Sequence, residues 1–231
     1  MSRQPERQQP PPVMRVALRY AKRGRARFAS HRDFARAFER ALRRAEVPMA
    51  FSSGFSPHPR ISYYNAAPTG AASEAEYLTL ALAREVDVVE LVARLNDALP
   101  DGFEITAWSL DSPLVLKGQQ ETEVDGASRW RIEFTPMGPN LDTAISVLLA
   151  TSSYLVRREA KNRDVDVRER LARLELTAPG VLEMTIKTSS PLVRPDDVLN
   201  ALAEIAGESY TARITRLAQG HLRDDELVEL F

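Results

Sequence analysis

The chain has no cysteine and only three histidines, His31, His58 and His221. The first absence excludes disulfides, cysteine-ligated zinc, iron–sulfur clusters and a cysteine nucleophile. The second leaves too few imidazoles for a multi-histidine metal site. No apolar run reaches the roughly 18 residues that a membrane-spanning helix needs. The opening segment MSRQPERQQPPP is polar and proline-rich, with no hydrophobic stretch behind its charges, and is not expected to act as a signal peptide. Walker, dinucleotide-binding and GxSxG patterns are also missing. These absences lead to the expectation of a cytoplasmic protein with no cofactor and no metal, which is not an enzyme on its own.

Hydrophobic residues make up 44% and charged residues 27% of the 231 positions, enough apolar material for one large domain or two smaller ones. The net charge of −1 hides a strong asymmetry. Between positions 15 and 62 lie twelve basic residues (Arg15, Arg19, Lys22, Arg23, Arg25, Arg27, Arg32, Arg36, Arg40, Arg43, Arg44 and Arg60) against three acids (Asp33, Glu39 and Glu46), a local net charge of +9. The remainder is therefore acidic, and the segregation creates a field that the overall balance conceals.

Hydrophobic periodicity organises the chain into two passes of similar order. Residues 1–12 read as a disordered tail. Residues 13–20 alternate as a half-buried strand, and KRGRARFAS turns or extends it. Ser30 and Asp33 have capping-box spacing ahead of a helix over about 31–46, whose apolar face is Phe34, Phe38, Ala41, Leu42 and Ala45. A short strand, an ordered loop from Gly54 to Pro59 and a strand over Ile61–Tyr64 follow. Then come a strand over Glu76–Ala83, a helix over 87–99 and a strand over Phe103–Leu110. The polar stretch 112–128 reads as a linker. Beyond it come a strand (Trp130–Thr135), a helix (Leu141–Ala150), a strand (Tyr154–Glu159) and a connecting stretch (Asn162–Val167). A hairpin turning at Pro179-Gly180, a helix (Pro195–Ile205) and a strand (Tyr210–Leu217) complete the pass. The expected fold is α+β, two ferredoxin-like (split βαβ) lobes in tandem: a basic lobe over 13–111, a second over 129–220, and an acidic tail over 221–231.

Three features carry functional chemistry. Arg32, Arg36, Arg40, Arg43 and Arg44, with Lys22, Arg23 and Arg25 before them, form a basic cluster of the kind that neutralises phosphates and releases counterions. The loop FSSGFSPHPRISYY places His58 and Arg60 beside Phe51, Phe55, Tyr63 and Tyr64, whose rings either stack unpaired bases or pack in the core. Ser52, Ser53, Ser56 and Arg60 are candidates for a phosphate nest. Finally, His31 and His58 are candidates for a general acid and base in metal-independent RNA cleavage, although capping, packing or phosphate contact is the commoner role for such histidines. Asp164 and Asp166, near Asn162, are weak candidates for a cation; alternation equally puts them on the wet face of a strand.

The segment from Arg27 to Leu82 also carries a resemblance. The SHxD helix start at Ser30, the FERALRRA helix (Phe38–Ala45), the GFSPHPRIS loop (Gly54–Ser62), the EAEYL strand (Glu74–Leu78) and the later VDVR (Val165–Arg168) closely resemble the radical SAM-linked protein family, a domain of unknown function. The resemblance runs from about residue 14 to 220, with YYNAAPTG (63–70) departing mildly. Such proteins are encoded beside, or fused to, radical S-adenosylmethionine proteins. The resemblance thus implies an accessory protein that presents a substrate while a partner enzyme holds the cluster. The doubled ferredoxin-like reading is similar to that of CRISPR repeat-processing endoribonucleases and some RNA-modification proteins, an analogy of fold alone.

Three functional expectations follow. In the first, the chain binds tRNA or rRNA through Arg32, Arg36, Arg40, Arg43, Arg44, His58, Arg60, Lys22, Arg23 and Arg25 for a separate radical SAM enzyme. The second is an endoribonuclease using His31 or His58, and the third a protein adaptor docking its arginine face on the radical enzyme.

Overall fold

The computed structural model of the chain describes residues 9–53, 55–116, 126–136, 138–159, 162–224 and 226–231. The start of the expected N-terminal tail, Gly54 of the expected loop and positions 117–125 of the expected linker lie outside the described residues. The chain divides into two compact units, residues 1–119 with Phe231, and residues 120–230. Among the described residues it is mixed α/β, with six α-helical segments and mostly antiparallel strands.

In the first unit, β1 (Met14–Lys22) is followed by a 3-10 turn (Gly24–Phe28) and α1 (His31–Arg44). Next come β2 (Ile61–Tyr64), β3 (Ala72–Leu82), α2 (Val88–Ala98), β4 (Phe103–Ser109) and the one-turn α3 (Pro113–Leu116). The strands lie in the order β4-β1-β3-β2, and each neighbouring pair is antiparallel. Val16, Leu18 and Tyr20 of β1 and Leu78, Leu80 and Leu82 of β3 project to one face. There they meet Phe34, Phe38 and Leu42 of α1 and Leu91 and Leu95 of α2. Apolar spacing of three and four along both helices produces this contact, because residues so spaced share a helix face. Asp87 caps α2 through hydrogen bonds from the Val89 and Glu90 N–H groups at 2.8 and 3.1 Å.

The second unit contains β5 (Gly126–Phe134), α4 (Leu141–Ala150), β6 (Leu155–Arg158), β7 (Arg163–Asp166), the one-turn α5 (Val167–Arg170), β8 (Leu171–Ala178), β9 (Val181–Lys187), α6 (Pro195–Ala206), β10 (Ala212–Arg223) and β11 (Glu226–Glu229). Its main strands are ordered β10-β5-β9-β8, again antiparallel, with β11 on β10. The β8–β9 hairpin turns at Pro179-Gly180, where Gly180 takes a φ of 73°.

Several elements differ from the sequence reading. The expected short strand before the loop is only two isolated bridges, Met49 with Leu82 and Phe51 with Pro59. The stretch Asn162–Val167, read as a connection, supplies β7, which pairs with β6 as a separate ribbon. Its charges (Arg163, Asp164, Asp166) hid a strand because polar alternation on both faces gives no apolar signal. The last strand extends six residues beyond Leu217, through AQGHLR, which lacks alternation. Pairing with β5 (Gly220 with Ala127, Gln219 with Ser128) makes it a strand in spite of its composition. The acidic tail folds onto it as β11.

The β6–β7 ribbon is tied to the start of α6. Arg158 Nε donates to Asp197 Oδ1 at 2.8 Å, its Nη2 donates to Asp197 Oδ2, and Nη2 also reaches the Leu192 carbonyl at 2.7 Å. Asp197 is buried, so removing either partner strands a charge in a low-dielectric site. Arg158→Ala and Asp197→Ala, taken through a double-mutant cycle by urea unfolding, should show a coupling of about 2 kcal/mol; additive effects would mean that the pair contributes nothing of its own. A Cβ at Gly220 would fall 1.9 Å from the Val228 carbonyl oxygen, so β11 seats only against glycine. We expect Gly220→Ala to cost about 2 kcal/mol and lower the Tm by about 4–8 °C in calorimetry. An unchanged Tm would mean that β11 does not lie on Gly220.

Candidate nucleic-acid interface

The site begins with the cap of α1. Ser30 Oγ accepts the Asp33 N–H at 3.2 Å, and Asp33 Oδ2 accepts the Ser30 N–H at 3.1 Å and the Ser30 hydroxyl at 2.6 Å. This reciprocal box satisfies two helix-end donors and fixes where the helix starts. The register of every later residue follows from that start.

At 3.6 residues per turn, Arg32, Arg36, Arg40, Arg43 and Arg44 fall within an arc of about 120° on the side opposite Phe34, Phe38 and Ala41. All five are exposed. They span about 18 Å of helix. Among the described residues none of the five is in an ion pair. Arg40, Arg43 and Arg44 line an open concavity at the C-terminal end of the helix.

The other expected basic contacts separate into two groups. Arg25 on the 3-10 turn and Arg60 before β2 are exposed. Lys22, however, is buried at 5% exposure, its Nζ donating to the Ala29 and Pro68 carbonyls at 3.4 Å each. A side chain that closes a loop from inside cannot lie on a phosphate. Arg23 is neutralised by two carboxylates: Nε donates to Glu74 at 2.8 Å and Nη1 to Glu104. These partners hold its guanidinium protonated, well above its usual range. Sequence reasoning missed both outcomes because the partners are distant along the chain: Pro68 lies 46 residues from Lys22, and Glu74 and Glu104 lie 51 and 81 residues from Arg23.

The loop is a narrow projection with a tied base. Ser52 N–H donates to the His58 carbonyl at 2.9 Å, His58 N–H donates to Ser52 Oγ at 3.0 Å, and Arg60 N–H donates to the Ala50 carbonyl at 2.8 Å. Ser52 is thus occupied in closing the loop, and Ser53 Oγ accepts the Gln9 N–H at 3.3 Å. The aromatic rings divide between the two readings, three being at least partly covered and one standing in solvent. Tyr64 is buried, Tyr63 half-buried, Phe51 41% exposed and Phe55 95% exposed.

The two histidines occupy different settings. His31 meets the Tyr63 ring edge-on at 4.8 Å, on the side of α1 away from the arginines. Burial, and after it the charge of Glu39, pushes the Tyr63 hydroxyl above its ordinary range. His58 is exposed in the loop, and no hydrogen bond among the described residues joins it to His31. Asp164 pairs with Arg157 at 3.0 Å. Asp166 caps α5, accepting from Glu169 N–H at 3.1 Å, Tyr154 N–H at 3.1 Å and the Ser153 hydroxyl. Burial raises its carboxyl, but these hydrogen bonds outweigh that and hold it below the usual range. Among the described residues no cluster of three metal-ligating side chains exists. Nor is any helix among them long and apolar enough to cross a membrane.

The model of one protein family, described as an uncharacterized protein conserved in bacteria (DUF2344), matches residues 15–195. The chain belongs to the DUF2344 family. No curated protein matches it. The match covers both elements of the site in this DUF2344 protein, the arginine-bearing α1 and the loop at 51–60.

The cap predicts a pH-dependent cost. Hydrogen bonds from the Ser30 hydroxyl and then its N–H hold the Asp33 carboxyl below its ordinary value. A group depressed in the folded state stabilises above its unfolded pKa and loses that contribution as pH falls through the folded one. Ser30→Ala should therefore destabilise by about 1 kcal/mol at neutral pH. The difference from wild type should shrink once the pH is below the ordinary aspartate value of about 3.9. Urea unfolding at both pH values checks this, and an equal difference at both would remove Asp33 from the cap.

Proposed function

We propose that this protein is an accessory RNA-binding, substrate-presenting module that works with a separate radical SAM enzyme, in tRNA or rRNA modification. One observation carries the reading: five exposed arginines, none in an ion pair among the described residues, share one arc of a helix locked in register by its own cap. Such a row matches a phosphate backbone, since each guanidinium presents planar donors to anionic oxygens and each contact releases counterions. The assignment to a radical SAM partner rests on the sequence resemblance in α1, the loop and VDVR. The strand orders β4-β1-β3-β2 and β10-β5-β9-β8, with the element order read from periodicity, support two ferredoxin-like lobes in tandem, the β6–β7 ribbon being an insertion in the second.

A nuclease reading finds less support, because His31 is engaged with Tyr63 on the opposite side of α1 from the arginines. Sequencing of nucleic acid that co-purifies with the tagged protein at low salt tests the proposal. The expected result is enrichment of one RNA class, lost in an Arg36→Glu/Arg40→Glu/Arg43→Glu variant. Binding of that RNA should weaken steeply as salt rises. No enrichment over the variant would overturn RNA binding and leave the arginine face as a docking surface for an acidic protein.

A further inference from the structure

Phe55 is 95% exposed, more than any other large hydrophobic residue described. A ring left this far in water contributes nothing to the core; Phe34 and Phe38 are 3% and 1% exposed, and even the partly exposed Phe28, Phe51 and Trp108, at 59%, 41% and 40%, keep more of their surface covered. Its exposure is not that of a loose chain end. The loop base is fixed by the Phe51–Pro59 bridge and the two Ser52–His58 hydrogen bonds at 2.9 and 3.0 Å. Pro57 and Pro59 restrict the returning limb further. The ring is thus carried beyond a loop base that is tied on both limbs.

The placement of the projection is informative. Met49, at its base, bridges Leu82, the last residue of β3, and Leu82 pairs on its other side with Met14 at the start of β1. The chain leaves α1 at Arg44 and reaches Met49 through a tight turn, closed by Val47 N–H to the Leu42 carbonyl at 3.0 Å. The loop therefore emerges at the same end of the unit as the concavity lined by Arg40, Arg43 and Arg44. Arg60 is exposed on the returning limb. An exposed apolar ring at the end of the unit that also carries Arg40, Arg43, Arg44 and Arg60 suits an aromatic base attached to phosphates better than the apolar pocket of a protein.

We propose that Phe55 stacks on an unpaired base of the bound RNA, so that the substrate class is RNA with a single-stranded nucleotide beside the segment held by the arginines, rather than uninterrupted duplex. The proposal rests on the RNA-binding reading and adds the feature that α1 alone does not supply. Bases inside an A-form duplex offer no free face, whereas those in loops, bulges and ends do. The arginines supply affinity for either form, and Phe55 discriminates between them.

The test uses the full chain with two fluorescein-labelled RNAs of equal length, a stem–loop with an unpaired loop and a blunt duplex, followed by anisotropy. Phe55→Ala and Phe55→Leu should each weaken stem–loop binding by roughly five- to a hundred-fold and leave duplex binding and the salt slope unchanged. Phe55→Trp should retain stem–loop binding, and its added indole fluorescence should be quenched by the stem–loop alone. Because the ring is in solvent, none of these variants should change the Tm. Unchanged stem–loop affinity in Phe55→Ala, equal losses on both RNAs, or a wild-type-like Phe55→Leu would overturn the stacking role. The Arg36→Glu/Arg40→Glu/Arg43→Glu variant separates the two readings. If it loses both RNAs while Phe55→Ala loses neither, RNA binding stands and the role of Phe55 falls. If it loses neither, the RNA-binding reading itself falls.

Discussion

The position of Phe34 governs the rest of the first unit. Its ring stacks on Tyr20 of β1 at 4.2 Å and on Phe38 at 5.4 Å, and meets Phe103 of β4 at 5.0 Å and Tyr63 of β2 at 6.1 Å. One side chain thus joins α1 to three of the four strands. Rotating the helix by a single residue, 100°, would withdraw this ring and drive arginines toward an apolar sheet, where an unpaired charge is prohibitively costly. The outward row of guanidinium groups is therefore a direct consequence of where the aromatic rings pack.

That row has an electrostatic cost, which the attraction of Asp33 for Arg36 and Arg32 offsets in part. Arg32, Arg36, Arg40 and Arg44 stand four residues apart, giving three successive like-charge neighbours, each unfavourable by about 0.2–0.5 kcal/mol. Only Arg43 and Arg44 gain from lying in the last turn, where the helix dipole favours cations. Elsewhere several basic residues are paired: Arg23 with Glu74 and Glu104, Arg131 with Glu183, Arg157 with Asp164 and Arg158 with Asp197. Arg25 and Arg60, like the α1 arginines, are in no such pair among the described residues. What distinguishes α1 is density, five exposed arginines within one arc of a single helix.

The elements that could be read from the sequence are those whose own residues dictate them. Ser30 and Asp33 announce α1, and Phe34, Phe38 and Leu42 give its buried face, so the arginine arc was visible before any coordinates. What could not be read depends on distant partners. Lys22 and Arg23 count as positive surface in the sequence, yet one is enclosed by the Ala29 and Pro68 carbonyls and the other is neutralised by glutamates from β3 and β4. Of the β6–β7 ribbon only β6 was legible; β7 was hidden because its outward charges carry no apolar period, and β11 because its strand character comes from β10. For Phe51, Phe55, Tyr63 and Tyr64 the sequence left stacking and core packing open, because composition does not say which rings the strand pairing covers; Tyr64 is buried and Phe55 stands in solvent.

The second unit provides an internal control on this argument. In element order α4 follows β5 as α1 follows β1, and it buries Leu141, Ala144, Ile145 and Leu148. Its only charged residue is Asp142, and its outward side includes Val147 and Leu149, 43% and 38% exposed. Similar strand orders thus carry opposite surfaces, so the arginine row is not something this architecture requires for stability. The row is thus a feature that the two similar strand orders do not share, and it carries like-charge repulsion where it occurs.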